Sequence, residues 1–297
     1  MQRSNPVTFE ELSRQAQAAF EPFTAMIYFA SEAFAHFKAL GLRGRQSYFL
    51  SRSAPLGKLP GEAVAALFYN FNPAFVKEQV NTGWAIPTAT PEAVLRERDL
   101  AVTEALQRLL APNEGEEDLR PNIEEALPLV KKAAHGLPVR GRPLFAGYAA
   151  MPWPDEPSVA LWHGVNLLRE FRGDGHNATL LAEGIDAVEA ILLQVAFSHK
   201  LPLHFLTRSR AWDVEDVQSG EKRLTERGLL DEGGLTEKGR EVRERIELNT
   251  DRLDVQPFEN LGIEDSQRLI ELVGALSDRI YARGGLNFGP APKPNPA

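Results

Sequence analysis

The 297-residue chain contains no cysteine, which excludes disulfides, thiolate metal sites and a thiol nucleophile. Any metal would have to rest on the six His together with Asp and Glu. Long apolar runs are also missing, for no stretch reaches the roughly 18 consecutive apolar residues of a membrane span. The opening segment, MQRSNPVTFEELSRQAQAAF, is charged and amphipathic and has no apolar core of the signal-peptide kind. The expectation is a cytoplasmic protein that does not engage the membrane. Positive charge is in deficit, with 33 Lys and Arg against 41 Asp and Glu and a net charge of −8. The overall field therefore repels phosphate backbones, and nucleic-acid contact would need a local basic face. Nor is there a Gly-x-Ser-x-Gly elbow, a Walker loop or a Gly-x-Gly-x-x-Gly turn; Gly141, Gly173 and Gly175 read as isolated turns. No segment indicates a particular cofactor.

What remains is a globular composition, 43% hydrophobic and 25% charged, patterned mostly as helix. FEELSRQAQAAF, PEAVLRERDLAVTEALQRLL, IDAVEAILLQVAF and EDSQRLIELVGALSDRIYARG place apolar residues at three- and four-residue spacings. The fold class predicted is mainly α with few short strands. Acidic APNEGEEDLRPN and Pro/Gly-rich GLPVRGRPLFAGYAAMPWPDEP punctuate the pattern and divide the chain. The division expected is an N-terminal half, 1–125, a connection, 126–158, and a C-terminal half, 159–283. The tail 284–297 has too little apolar content to pack and is expected to be mobile.

The two halves look alike. LRGRQSYFLSRSAPLGKLPGEAVAALFYNF (42–71) and FRGDGHNATLLAEGIDAVEAILLQVAF (171–197) both run Arg-Gly, polar helix, Gly turn, apolar helix. Arg43 stands 41 residues before Trp84 and Arg172 stands 40 before Trp212, and each Trp precedes a charged helix ending in Leu109-Leu110 or Leu229-Leu230. We read this as a diverged tandem duplication, which would set two winged-helix-like units around a pseudo-twofold axis. The chain would then be a monomeric pseudo-dimer or a homodimer.

The most specific text is GLLDEGGLTEKGREVRERI, after a predicted series of three helices at 185–198, 203–208 and 213–227. Gly228 suits a helix C-cap, Leu229-Leu230 a strand, Asp231 to Gly234 a tight turn, and Thr236 the cap of a new helix. Over about 45 residues this resembles the MarR-like winged helix, with an unusually short wing. The resemblance implies DNA contact through Arg208, Arg210, Lys222, Arg223 and Arg227. Those five are matched by Asp213, Glu215, Asp216, Glu221 and Glu226, so the recognition helix is charge-neutral. The corresponding N-terminal stretch, 77–108, is no more basic.

Two polar clusters are candidate ligand-binding sites. In LWHGVNLLREFRGDGHNATLL, His163, Arg169, Arg172, Asp174 and His176 gather around a predicted Gly-Asp-Gly turn. The simpler reading has Asp174 capping a helix that begins near Gly175, with Arg172 pairing a carboxylate to fix the turn. A two-His, two-carboxylate metal site finds no supporting spacing, and no metal is assigned. In the first half, Arg43, Tyr48, Arg52, Tyr69, Asn70 and Asn72 combine rings, amides and arginines as a cavity between helices would. The simpler reading there is a helix break with Asn72 as cap and Pro73 at the first helical position.

YFASE (28–32), LGLRG (40–44), SRSAPLG (51–57), FYNFNP (68–73), RPLFAGYAAMPWPDEP (142–157), LWHGVNLLREFRGDGH (161–176), RAW (210–212) and GLTEKGR (234–240) together resemble a helix-turn-helix family common in actinobacteria, over nearly all of 20–280. Members tend to carry His where this chain has Phe171. The resemblance implies a fold but no established activity. The function expected is a small-molecule-responsive regulator or ligand-binding protein with a central pocket between the halves. The other reading is an enzyme built on His163, Arg172, Asp174 and His176 in the same cavity.

Overall fold

The computed structural model describes residues 7–198 and 203–286. Among these it is 73% helical, with two short strands. Fifteen α-helices run α1 Phe9–Ala25, α2 Ser31–Ala39, α3 Arg45–Ser53, α4 Gly61–Leu67, α5 Pro73–Trp84, α6 Pro91–Leu110, α7 Arg120–Ala134, α8 Pro143–Ala149, α9 Pro157–Ala182, α10 Ala187–Ser198, α11 Leu203–Ser209, α12 Val214–Glu226, α13 Glu237–Leu253, α14 Gln256–Leu261 and α15 Ile263–Ala282. The strands, β1 Leu230–Asp231 and β2 Gly234–Leu235, form an antiparallel pair between α12 and α13.

Helix α9 organises the molecule. Glu156 caps its start through the Val159 amide, Pro157 occupies its first turn, and it runs 26 residues, roughly 39 Å at 1.5 Å per residue. It packs against α1, α6, α7, α8 and α13. The Gly-Asp-Gly segment predicted to be a turn is the interior of this helix, which corrects the assignment of Asp174 as its cap. Gly175, like Gly164 earlier in α9, serves close approach instead. A Cβ on Gly175 would stand 3.0 Å from an Arg142 guanidinium nitrogen and 3.3 Å from the Leu253 Cβ, and one on Gly164 would stand 2.7 Å from Val130. Packing across α9 selects residues that turn chemistry would also select.

Two apolar cores form on this axis. The larger joins α1, α2, α3, α6, α7, the first half of α9, α14 and α15 around Phe23, Phe49, Trp162 and Leu276. The smaller joins the end of α9 to α10, α12, the hairpin and α13 through Leu180, Val188, Leu224, Leu235 and Ile246. Segment 126–158, read from the sequence as a connection, carries most of α7 and all of α8, and buries Val130, Phe145 and Tyr148 in or against the larger core. Of the tail expected to be mobile, Leu286 is buried, and 287–297 lie outside the described residues.

The C-terminal unit follows its local signals closely. Asp213 caps α12 in a reciprocal box with Asp216, Gly228 takes φ +68° just past the helix end, and Thr236 caps α13. A Cβ on Gly239 would fall 2.1 Å from the Leu229 carbonyl oxygen, so α13 lies directly against the chain entering β1. In the N-terminal half α6 leads through Ala111 to α7, and among the described residues no strand lies between those two helices.

Candidate functional site

A cavity of about 330 Å³ opens where the two cores meet, between α1, α9, α10, α13 and α14. Its wall is unusually rich in charge for a protein interior. Arg52, Arg169, Arg172 and Arg243 face it together with Glu21, Glu170, Glu247, Asp254 and His176.

Glu170 is the hub. Its side chain is 1% exposed and both oxygens accept from Arg52, at 2.8 and 2.7 Å, while Arg169 donates to Oε1 at 3.0 Å and also grips Glu21 at 2.9 Å. Burial works against its charge, yet Arg52 and Arg169 outweigh that and hold the carboxyl below the usual range. The Arg52 guanidinium also reaches the Tyr48 hydroxyl at 2.8 Å and lies 4.8 Å from the Phe68 ring centre.

Two residues further on, Arg172 pairs with Asp251 at 2.7 Å and donates to Ser13 Oγ at 2.7 Å, and Ser13 donates to Asp254 at 2.7 Å. The pairing expected for Arg172 is therefore present, but it ties α9 to α1 and α13 and fixes no turn. Burial raises Asp254 to about 7, against the pull of Arg172. One of its oxygens, Oδ1, has no hydrogen-bond partner among the described residues. His176 Nδ1 meets Thr250 Oγ1 at 3.0 Å, and burial lowers its pKa to about 4.

The remaining sequence-predicted residues are dispersed. His163 sits deep in the larger core, edge-on to Trp153 with ring centres 5.2 Å apart, and neither ring nitrogen has a hydrogen-bond partner among the described residues. Burial, aided by the Arg98 charge, lowers it to about 4. Because α9 is continuous, His163 and His176 stand roughly 20 Å apart along its axis. They cannot belong to one catalytic or metal centre. Asp174 accepts the Phe145 amide at 3.0 Å, capping α8 across the fold, and burial raises it to about 6. Phe171 lies buried under the Arg142 guanidinium, 3.6 Å from the ring centre. Arg43 is exposed and away from the cavity.

Tyr69, Asn70 and Asn72 do not line it either. Tyr69 donates to the Ile185 carbonyl at 2.6 Å, the Asn70 carbonyl accepts from the Trp212 indole at 2.9 Å, and the Asn72 amide donates to the Arg210 carbonyl at 3.0 Å. The Asn72 side chain caps α5 through Ala74 and Phe75. FYNFNP is thus the strap that fastens the α11–α12 turn to the N-terminal body. That turn holds Ala211 at φ +60°, a left-handed conformation that strains a residue with a Cβ.

The five cations expected to contact DNA also separate. Arg223 pairs with Asp186 at 2.5 Å and Glu189 at 3.2 Å, and Arg227 with Glu189 at 3.1 Å, so both are turned toward α10. Arg210 folds over Phe71. Arg208 and Lys222 are exposed, the latter 3.8 Å from Glu226. Outward from α12 project Val214, Glu215, Gln218, Ser219 and Lys222.

The model of a helix-turn-helix family matches residues 13–287. The chain belongs to this helix-turn-helix family. No curated protein and no solved structure matches it. The match spans the helical body as well as the α10–α13 unit, so in this helix-turn-helix protein the charged cavity lies within the family's own fold. Among the described residues no group of three or more His, Asp and Glu is arranged to hold a metal, and no helix is long and apolar enough to cross a membrane. Sequence reasoning missed Glu21, Arg243, Glu247 and Asp254. None carries a local signal, because each meets α9 from a helix distant in sequence.

Proposed function

We propose that this chain is a ligand-responsive, DNA-binding regulator in which the α10–α13 unit acts as a MarR-like winged helix. The observation that carries this reading is the position of the charged cavity. Its walls come from α1 and α9 on one side and from α10 and α13 on the other, so a small molecule held there would touch both cores at once and bias their relative arrangement. Arg52, Arg169, Arg172 and His176 would form the polar part of that ligand site. The hairpin-bearing unit supplies a helix, α12, that can enter a major groove, with Lys222 on it and Arg208 on α11 as the exposed cations not turned inward. The likeness of the two halves in sequence supports a tandem duplication in which the N-terminal half has lost its wing and become the support of the other. An enzyme built on His163, Arg172, Asp174 and His176 is disfavoured by the spread of those groups along α9. The test is capture of sheared genomic DNA by the immobilised full chain at low salt, followed by sequencing. Enrichment of a discrete set of sites is expected; absence of retention, or retention without sequence preference, would overturn the regulator reading.

A further inference from the structure

A second cavity, of about 440 Å³, adjoins the first at the Glu21–Arg169 pair and lies between the end of α1, α2, α3 and the α11–α12 turn. Its character is different. Six aromatic rings face it, among them Tyr28, Phe34, Phe37, Tyr48 and Phe71, and Phe34 is 55% exposed. An exposed ring of that size beside a concavity is the arrangement of an unfilled apolar site.

The charges in its wall do not balance. Glu21 is the one carboxylate, and it is committed to Arg169. Arg45 and Arg210 have no carboxylate within ion-pair distance among the described residues. Arg210 gives one N–H to Ser209 Oγ at 2.8 Å and rests 5.5 Å from the Phe71 ring centre, which leaves most of its five donors without a protein acceptor among the described residues. Burial lowers its pKa, and the nearby Arg45 charge works in the same direction. Arg210 is half-buried, so its guanidinium is partly desolvated without a counter-charge, and an anion in the cavity would supply the missing partner. The neighbouring charged cavity is the contrast, since its four arginines all meet carboxylates.

We propose that this second cavity binds an organic anion with a ring-sized apolar body, its charged group held between Arg210 and Arg45 and its body packed among Phe34, Phe37 and Phe71. The site stands on its own geometry. Its regulatory use rests on the reading of the previous section, and it is direct, because Arg210 begins the α11–α12 turn. The Arg210 carbonyl is the acceptor for the Asn72 strap, and the strained Ala211 follows it. An anion that draws the Arg210 side chain inward acts on the corner of the helix-turn-helix itself.

The test is a fluorescence titration of the full chain with 2-naphthoate, against the uncharged isostere 2-naphthamide. Naphthoate is expected to bind one per chain and at least tenfold tighter than the amide. Arg210→Gln and Arg45→Gln should each weaken naphthoate about tenfold and leave the amide unchanged. Arg210→Lys should retain part of the affinity, and the exposed Arg140→Gln should behave as wild type. Equal affinity for acid and amide, no saturable naphthoate binding, or an equal loss in Arg140→Gln would overturn the proposal. The acid–amide comparison uses the wild-type chain and so does not depend on a variant folding. Naphthoate binding that leaves DNA capture unchanged would preserve the site and count against the regulator reading alone.

Discussion

Replacing Glu170 with Gln removes one negative charge from the buried ion cluster at the cavity and changes nothing else of comparable size. Arg52 makes three contacts to that carboxylate and has no other carboxylate partner among the described residues, whereas Arg169 keeps Glu21 at 2.9 and 3.2 Å. The substitution therefore strands one guanidinium, with a side chain 11% exposed, and leaves the other paired. Breaking a buried pair at one end costs about 3–5 kcal/mol. The retained amide oxygen and the Tyr48 hydroxyl, both acceptors for Arg52, put the expected loss near the lower end, about 3 kcal/mol. For a chain of this length that is a fall in Tm of roughly 6–12 °C. Urea unfolding should show a lower midpoint with an unchanged slope. The double variant Arg52→Met, Glu170→Met removes both charges and should recover most of the loss. A loss below about 1 kcal/mol for Glu170→Gln, or a double variant less stable than the single one, would refute the claim that this cluster is desolvated and mutually dependent.

Further outcomes follow from the same reasoning. Asp254 and Asp174 are raised to about 7 and about 6, so their protons favour the folded state and stability from these groups falls as pH rises from about 4 through those values. His163 and His176, lowered to about 4, act oppositely, since the unfolded chain binds their protons more tightly up to about pH 6.5. The two effects oppose each other in wild type. Asp254→Asn should unmask a stability that rises with pH between 4 and 6.5, read by urea midpoints across that range, and a curve parallel to wild type would be inconsistent with the burial of Asp254. Gly239→Ala should destabilise by at least about 2 kcal/mol, because the Leu229 carbonyl oxygen 2.1 Å away is backbone and cannot yield. Amide exchange should localise that loss to the smaller core, and uniform loss across the chain would contradict its separateness.

The helices and the hairpin were legible because their signals are local. Gly228 and Thr236 fix chain direction locally, and the structure uses both as read; Asp213, read only as a charge, proves to be the cap of α12. The Gly-Asp-Gly segment misled because a glycine needed for close helix packing is indistinguishable in sequence from one needed for a turn. Arg142 and Leu253, which demand Gly175, lie 33 and 78 residues away. The same limit applied to the sites. Arg52, Arg169, Arg172 and His176 were recognised by type, while their carboxylate partners on α1 and α13 were not. Arg223 and Arg227 read as groove-facing by their place in the predicted recognition helix, but Asp186, just before α10, and Glu189 on α10 claim them.

The regulator reading is tested most directly by the salt dependence of DNA binding. Each phosphate contact contributes about −0.9 to the slope of log K against log salt. Of the five cations on and before α12, Arg208 and Lys222 are free of the inward pairs and of the Phe71 stack. A slope of about −2 is expected from those two, in place of about −4.5 if all five reached phosphates, with Arg208→Gln plus Lys222→Gln removing most of it. Fluorescence anisotropy on a captured site, from 20 to 200 mM salt on the order of that counterion-release regime, gives the number. No binding at the lowest salt, or binding indifferent to the double substitution, would contradict a DNA-reading role for α12.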